Sequence, residues 1–335
     1  MNLQNLPRSI SDPTRFDYAF PIKDYFGPNK ARNHDTLVFT DYSAQEARLA
    51  GVLAGDEQMI NAFLDPSRDV HTETASLVFK VPVEEVTKDL RTRAKAVTFG
   101  LMYGEDPNSF AGKNNMPIEE SEQLFEDYYA GKPKIKELID IAQSSATRDG
   151  YIDVPGSGFR RNLEDVWSAD FKTKNGALRQ ALNTMVQGGS AYLTQKALIT
   201  INQYFRAYDI DAYIMVTVHD SIVCSTKREL VPTVATIMQV AMENVEVDYL
   251  NIEHNGNPIR FPMVADVGVG VTYNKEFEYD KDDFLSFASS DGFSQYYTAL
   301  KELKDRLEAD LISEEDYETQ SQAIKDKKQE YQEIK

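Results

Sequence analysis

Arg91, Lys95, Phe99 and Tyr103 recur at intervals of four residues, so on an α-helix two cations and two aromatic rings share one face. That face suits a nucleoside triphosphate, with the cations meeting the phosphates and the rings flanking sugar and base. Asp41 and Asp220 each stand near the end of an apolar, strand-like segment, one before this helix and one after it. Rigid strands can hold their oxygens within reach of two hard cations roughly 3.5–4 Å apart, the arrangement that nucleotidyl transfer uses. The Tyr42 backbone carbonyl is a candidate further ligand, and His71 a third candidate phosphate donor. Lone aspartates at turns are commonly structural, and two cations on a helix are commonly a solvated face. Phe99 and Tyr103 on that same face argue for a ligand, since two rings would otherwise lie exposed.

The elements that must position these residues can be read from periodicity. Thr36–Asp41 is a short apolar strand that leads into Tyr42-Ser43 and a helix over Ala44–Gly55. Helices are predicted over Glu57–Leu64, Val70–Phe79 and Val86–Tyr103, the last ending at Gly104, and one long helix from Glu119 to about Arg148. Tyr151–Val154 reads as extended, Pro155–Gly158 as a turn, and Arg160-Arg161 as the extended or irregular stretch beyond it. A helix over about Ala177–Tyr204 carries Arg179, Asn183 and Gln187 four apart, with Gly188-Gly189 inviting a close approach by another chain or a ligand. Ala212–His219 and Ser221–Cys224 form a strand pair with Asp220 at its tip. A helix over Pro232–Val245 and strands near Ile259–Val264 and Gly268–Val271 complete an α+β pattern with antiparallel pairing.

With 335 residues, 41% hydrophobic and 11% aromatic, the chain has the composition of a folded protein. The single cysteine, Cys224, excludes an internal disulfide and follows an apolar run, which suits a buried thiol. No basic stretch followed by an apolar run opens the sequence and no membrane-spanning run of apolar residues occurs, so the expected location is the cytoplasm. A net charge of −18 runs against unaided retention of DNA. Residues 276–335 hold 17 acidic and 8 basic residues, half of that excess, which leaves local basic surface near Arg91–Lys95 and Arg160-Arg161 able to face a polyanion. In that last stretch Tyr297, Leu300, Leu303, Leu307 and Leu311 form an apolar stripe, and Ser313 with Asp316 can cap a second charged helix. It reads equally as a docking hairpin or as a helix packed on its own domain.

These residues carry a resemblance. Asp41-Tyr-Ser-Ala-Gln-Glu46-Ala-Arg48 is similar to the first catalytic motif of family A DNA polymerases, the bacterial DNA polymerase I family and its phage and mitochondrial relatives. Arg91 through Gly104 resembles the nucleotide-binding helix of that family, and Val218-His219-Asp220-Ser221 its third motif. Asn2–Pro7 resembles the opening of the palm, and Arg179, Asn183, Gln187 and Gly188 the helix that touches template and primer. The motifs occur in family order over about residues 1–275.

The resemblance implies a right-hand palm with an antiparallel sheet plus helical fingers: palm over 1–55 and 155–275, fingers over 56–154, and a mostly helical acidic extension over 276–335 that could dock a partner. It implies a DNA-directed DNA polymerase that adds deoxynucleoside triphosphates to a primer-template, with Asp41, Asp220 and the Tyr42 carbonyl holding two Mg2+ ions, for which Mn2+ can substitute. Lys95, Arg91 and His71 would grip the triphosphate, and Lys95 would act in catalysis. Tyr42, Glu46, Phe99 and Tyr103 would complete the nucleotide site, with Glu46 and Tyr103 excluding a 2′-hydroxyl and Phe99 discriminating against dideoxynucleotides. Arg160, Arg161, Arg179, Asn183, Gln187 and His219 would contact DNA.

Two departures bear on these expectations. Ser221 stands where the family usually has glutamate, and Ala44 where it has glutamine. The family's thumb, first palm segment and exonuclease-like domain precede the opening motif and are absent here. That points to a split polymerase with a separate subunit carrying the thumb, with or without an exonuclease domain, or to a fragment of a longer chain. A bacteriophage source, and hence a host cytoplasm, suits such division. The competing readings are a non-catalytic structural or DNA-clamping subunit and another two-carboxylate enzyme, a nuclease or glycosidase. The cation-aromatic helix has no role in sugar hydrolysis.

Overall fold

The computed structural model describes residues 22–102, 105–309 and 311–335. The Asn2–Pro7 motif, Tyr103 and Gly104 lie outside the described residues. In chain order the first half runs β1 (Thr36–Tyr42), α1 (Gln45–Ala54), α2 (Glu57–Leu64), α3 (Val70–Phe79), α4 (Lys88–Met102), α5 (Pro107–Asn114), α6 (Ile118–Gly131) and α7 (Pro133–Asp149). Then follow β2 (Tyr151–Asp153), β3 (Arg160–Asn162), α8 (Phe171–Ala207), β4 (Ala212–Val218), β5 (Ser221–Thr226) and α9 (Val231–Glu243). The remainder is β6 (Asn251–His254), β7 (Asn257–Arg260), β8 (Ala265–Thr272), β9 (Lys275–Glu278), α10 (Lys281–Ser286), α11 (Ser290–Glu308), α12 (Glu314–Asp326) and α13 (Lys328–Gln332).

Two compact units emerge. One comprises Met1–Ser43, Thr194–Asn244 and Val264–Lys335; the other Ala44–Leu193 and Val245–Met263. The first is built on an antiparallel sheet of order β4-β5-β1-β8-β9. The apolar run in β1 is buried because that strand is central, paired with β5 on one side and β8 on the other; Asp41 alone in it is exposed. Leu37, Phe39 and Val223 form the inner cluster, with Met215, Val216 and Tyr273 against it, and α9 packs on β1 and β8. Cys224 is fully buried there, and burial pushes its thiol up out of the reactive range. Glycine is needed where β8 meets β9, since a Cβ on Gly270 would fall 1.7 Å from the Lys275 carbonyl oxygen.

The second unit is helical, apart from the hairpins β2–β3 and β6–β7. Its core joins Val97 and Leu101 of α4 to Phe110, Phe125, Tyr128 and Ile135. Local sequence sets the helix boundaries: the Asp56 side chain accepts from the Met59 amide, Asp69 from His71 and Asp106 from Ser109, and Gly55 and Gly150 end α1 and α7 in the left-handed region. The single helix expected over Glu119–Arg148 is two. Pro133 cannot donate to a preceding turn and starts a new helix after Lys132. The close approach expected at Gly188-Gly189 comes from within the unit, since Cβ atoms there would meet Val154 at 3.0 Å and Leu49 at 2.8 Å. The strands β6 and β9 escape the sequence reading because both are short and largely polar.

Residues beyond β9 pack on the sheet of their own unit. Phe277, Phe284, Phe287, Phe293, Tyr296 and Tyr297 form an aromatic cluster with ring centroids 4.6–6.1 Å apart. In the stripe Leu303 is buried, whereas Leu311 is 70% exposed. Ser313 caps α12 by accepting from the Asp316 amide, as the sequence leads one to expect. Arg228 clamps this appendage, donating to the carbonyls of Phe284, at 2.8 Å, and Phe287, with its guanidinium 4.8 Å from the Phe284 ring centre. Arg228→Met keeps the stem but loses both charged hydrogen bonds, each worth about 1.5–3 kcal/mol. Limited proteolysis should then cut residues 281–335 faster than in the unaltered chain; an unchanged digestion pattern would remove Arg228 from this role.

Candidate functional site

In the sheet unit, Asp41 comes near the end of β1 and Asp220 at the turn between β4 and β5. The turn is tight, with His219 exposed and left-handed at φ 55°. Register puts Ser221 opposite Asp41 on one side and Asp266 opposite it on the other, so the three side chains share one face. Asp41 keeps solvent exposure, yet its carboxyl is pushed up to about 7, first by the protein packed around it, then by the Asp220 charge and the hydrogen bond the two carboxyls share. Glu276 and Asp266 add to the repulsion. These two carboxylates were not singled out in the sequence; only a correct register of β8 against β1 reveals Asp266.

Tyr42 offers its backbone and not its ring to this end of the sheet. Its side chain is buried, and its hydroxyl donates to the Met242 carbonyl at 2.6 Å. Among the described residues no group of three or more His, Cys, Asp or Glu side chains has the arrangement of a metal site. The donor set nevertheless fits a hard divalent ion: crowded carboxylate oxygens and a nearby carbonyl are the ligands such ions take, and a dication there would offset the repulsion that raises Asp41.

In the helical unit, α3 and α4 bring together His71, Arg91, Lys95 and Phe99. The His71 and Phe99 rings lie 6.1 Å apart, and the Lys95 ammonium 5.7 Å from the Phe99 centroid, within cation–π range. Phe99 is therefore half-buried rather than a bare ring. His71 is buried, with its Nδ1 lacking a hydrogen-bond partner. Burial chiefly, with the charges of Lys95 and Arg91, holds its imidazole below the usual range against the pull of Asp69.

Arg91 carries an ion pair the sequence reading missed: its Nε donates to the Asp69 carboxylate. Asp69 also caps α3 and accepts from the Thr72 hydroxyl at 3.0 Å. Its burial works the other way, but the Arg91 contact and these donors hold its carboxyl at about 2. The signal was present as an N-cap aspartate directly before the helix that carries His71. Glu46 sits half-buried in the first turn of α1, which follows the left-handed Ala44 at φ 53°.

On α8, Arg179 and Asn183 are half-buried and Gln187 is exposed, one row as the spacing requires. Arg161 reaches the Gln180 amide oxygen at 2.8 Å, while Arg160 on the opposite face of β3 pairs with Asp153 at 2.9 Å.

The sequence profile described as DNA polymerase family A matches residues 1–275. The chain is 30% identical over 273 residues to DNA polymerase I of Geobacillus stearothermophilus, covering 81% of this chain and 29% of that protein. It is 31% identical over 315 residues to the DNA polymerase of Bacillus phage SP01, covering 92% of this chain and 33% of that one. It thus spans about a third or less of the length of these relatives. Among solved structures, the POL domain of Pol1 from M. smegmatis, in complex with DNA primer-template and dNTP, superposes with a TM-score of 0.69 at 27% identity, covering 82% of this chain and 44% of that one.

The raised Asp41 makes a signed prediction. A carboxyl that binds its proton more tightly folded than unfolded loses stability as pH rises from its unfolded value near 4 to about 7. In EDTA, Asp41→Asn should therefore melt above the unaltered chain at pH 8, and the gap should close by pH 4. Mg2+ should raise the pH 8 midpoint of the unaltered chain and leave the variant unmoved. Differential scanning fluorimetry reads both; a gap independent of pH would contradict the assignment.

Proposed function

The chain belongs to DNA polymerase family A, and from that membership we propose that it is the palm-and-fingers part of a DNA-directed DNA polymerase, adding deoxynucleotides to a primer 3′-hydroxyl. The observation that carries the reading is the Asp41–Asp220 pair, two carboxylates packed together on rigid strands so that Asp41 is raised to about 7. Asp41, Asp220 and the Tyr42 carbonyl would hold two Mg2+ ions. When bound, such ions lower the proton affinity of the attacking hydroxyl and offset charge on the transferred phosphate.

In this reading Lys95 and Arg91 bind the triphosphate, with Arg91 exchanging the Asp69 carboxylate for a phosphate oxygen. His71, poorly able to hold a second proton in its buried setting, meets the phosphates as a neutral hydrogen-bonding group. Phe99 and Tyr103 border the base and Glu46 the sugar. Arg160, Arg161, Arg179, Asn183, Gln187 and His219 meet the DNA backbone and minor groove. A net charge of −18 leaves much of the grip on duplex to basic surface supplied elsewhere, so the further partner we propose is a separate thumb-bearing polypeptide. Ser221 beside Asp41 removes one carboxyl from this end of the sheet, while Asp266 keeps one in the same row.

The test is magnesium-dependent extension of a labelled primer-template by the chain, alone and with proteins that co-purify with it. Extension should fall at least about 10²–10³-fold in Asp41→Ala, Asp220→Ala and Lys95→Ala, as on removing other preorganised charge-stabilising groups. Phe99→Tyr should narrow the preference for deoxy- over dideoxynucleotides. No extension in either preparation of folded protein would overturn the reading.

A further inference from the structure

Trp167, the one tryptophan in the chain, is 58% exposed at the end of the 3-10 turn Glu164–Trp167. Its ring is nonetheless fixed. The indole Nε1 donates to the Thr147 carbonyl at 2.7 Å, and the ring lies so close over Gly150 that a Cβ there would stand 2.4 Å from Cη2. Glycine, left-handed at φ 75°, ends α7 at that point and lets the indole rest on bare backbone. With the N–H tied inward and part of the ring on Gly150, what the indole offers to solvent is apolar π surface.

The next residue carries a second flat surface. The Arg160 guanidinium lies 3.6 Å from the Tyr151 ring centre, held in place by Asp153. Asp153 and Arg160 pair across β2–β3, and Tyr151 shares their face, opposite the buried Ile152. A guanidinium plane so placed accepts a stacked base as readily as an aromatic ring does. Phe159 and Phe171, 68% and 77% exposed, belong to the same segment. Residues 147–180 hold six Lys or Arg and five Asp or Glu, a small positive excess in a chain whose total is −18.

Fixed aromatic faces interleaved with arginines are how proteins bind single-stranded nucleic acid without sequence preference. We propose that the Trp167 indole and the Arg160-capped Tyr151 ring form a stacking platform for unpaired DNA bases, which in the polymerase reading are those of the template strand not yet copied. The source of the strand, though not the stacking chemistry, rests on that reading. The platform stiffens the single strand by stacking, and Arg148 and Arg161 exchange their present partners, the Asp149 carboxylate and the Gln180 amide oxygen, for its phosphates.

A single tryptophan makes the test direct. Titrating the chain with a mixed-sequence single-stranded oligodeoxynucleotide at low salt should quench Trp167 emission, and a blunt duplex of equal length should do so far less. Anisotropy of the labelled strand should show Trp167→Ala binding at least about fivefold more weakly. Trp167→Phe, which keeps a ring over Gly150, should fall between, and Arg160→Ala should weaken binding and flatten its salt dependence. Circular dichroism checks that each variant folds. No quenching up to roughly 100 µM strand, the weak end of non-specific affinity, overturns the proposal, as does unchanged affinity in Trp167→Ala. Emission that responds to a co-purified protein but not to DNA would make this a protein-docking face and equally overturn it. Because quenching requires no turnover, lost quenching with extension intact refutes the platform alone, and lost extension with quenching intact refutes the polymerase reading alone.

Discussion

Two carboxylates stay side by side only where the backbone beneath them is too stiff to let them part. Here β1 supplies the stiffness: its apolar residues are buried between β5 and β8, and Asp41 near its end is held in register by Ser221 and Asp266. A one-residue slip would turn Asp41 to the opposite face and Leu37, Val38 and Phe39 out of their places, so the core and the acidic site are specified together. The tight turn at His219-Asp220 then delivers the second carboxyl, and burial together with the repulsion between the two raises Asp41 to about 7. Stability is surrendered at the point where chemistry is expected, the usual relation between a strained charge pair and function.

The helical unit meets the opposite problem, gathering positive charge without a polyanion at hand. Asp69 solves it for Arg91 while also capping the helix that carries His71, so one carboxylate fixes both the start of α3 and the guanidinium of α4. Lys95 lies against Phe99, and His71 is desolvated beside them. Arg91 and Lys95 themselves stay exposed, each held by a single neighbour, the Asp69 carboxylate and the Phe99 ring.

Beyond β9 the acidic chain folds back through an aromatic cluster and the Arg228 clamp. Its excess of negative charge therefore lies on an ordered appendage rather than on a tail, and the match to the phage SP01 polymerase over 315 residues runs longer than that to the Geobacillus enzyme over 273.

Periods of four and two, with turn residues a few positions apart, are enough to place the helical row Arg91, Lys95, Phe99, the strand before Asp41, the hairpin tip at Asp220 and the α+β pattern. Capping at Asp56, Asp69 and Ser313 was equally local. Relations between distant segments emerge only in the folded chain: Asp266 beside Asp41, the Arg91–Asp69 pair, the inward turn of the Tyr42 ring, the clamp from Arg228, and Trp167 over Gly150. Each follows from strand register or helix packing, which are set by the burial of a whole apolar core and have no short-range signature. Even the break at Pro133, visible as a residue, was hidden by an apolar period that runs on through it.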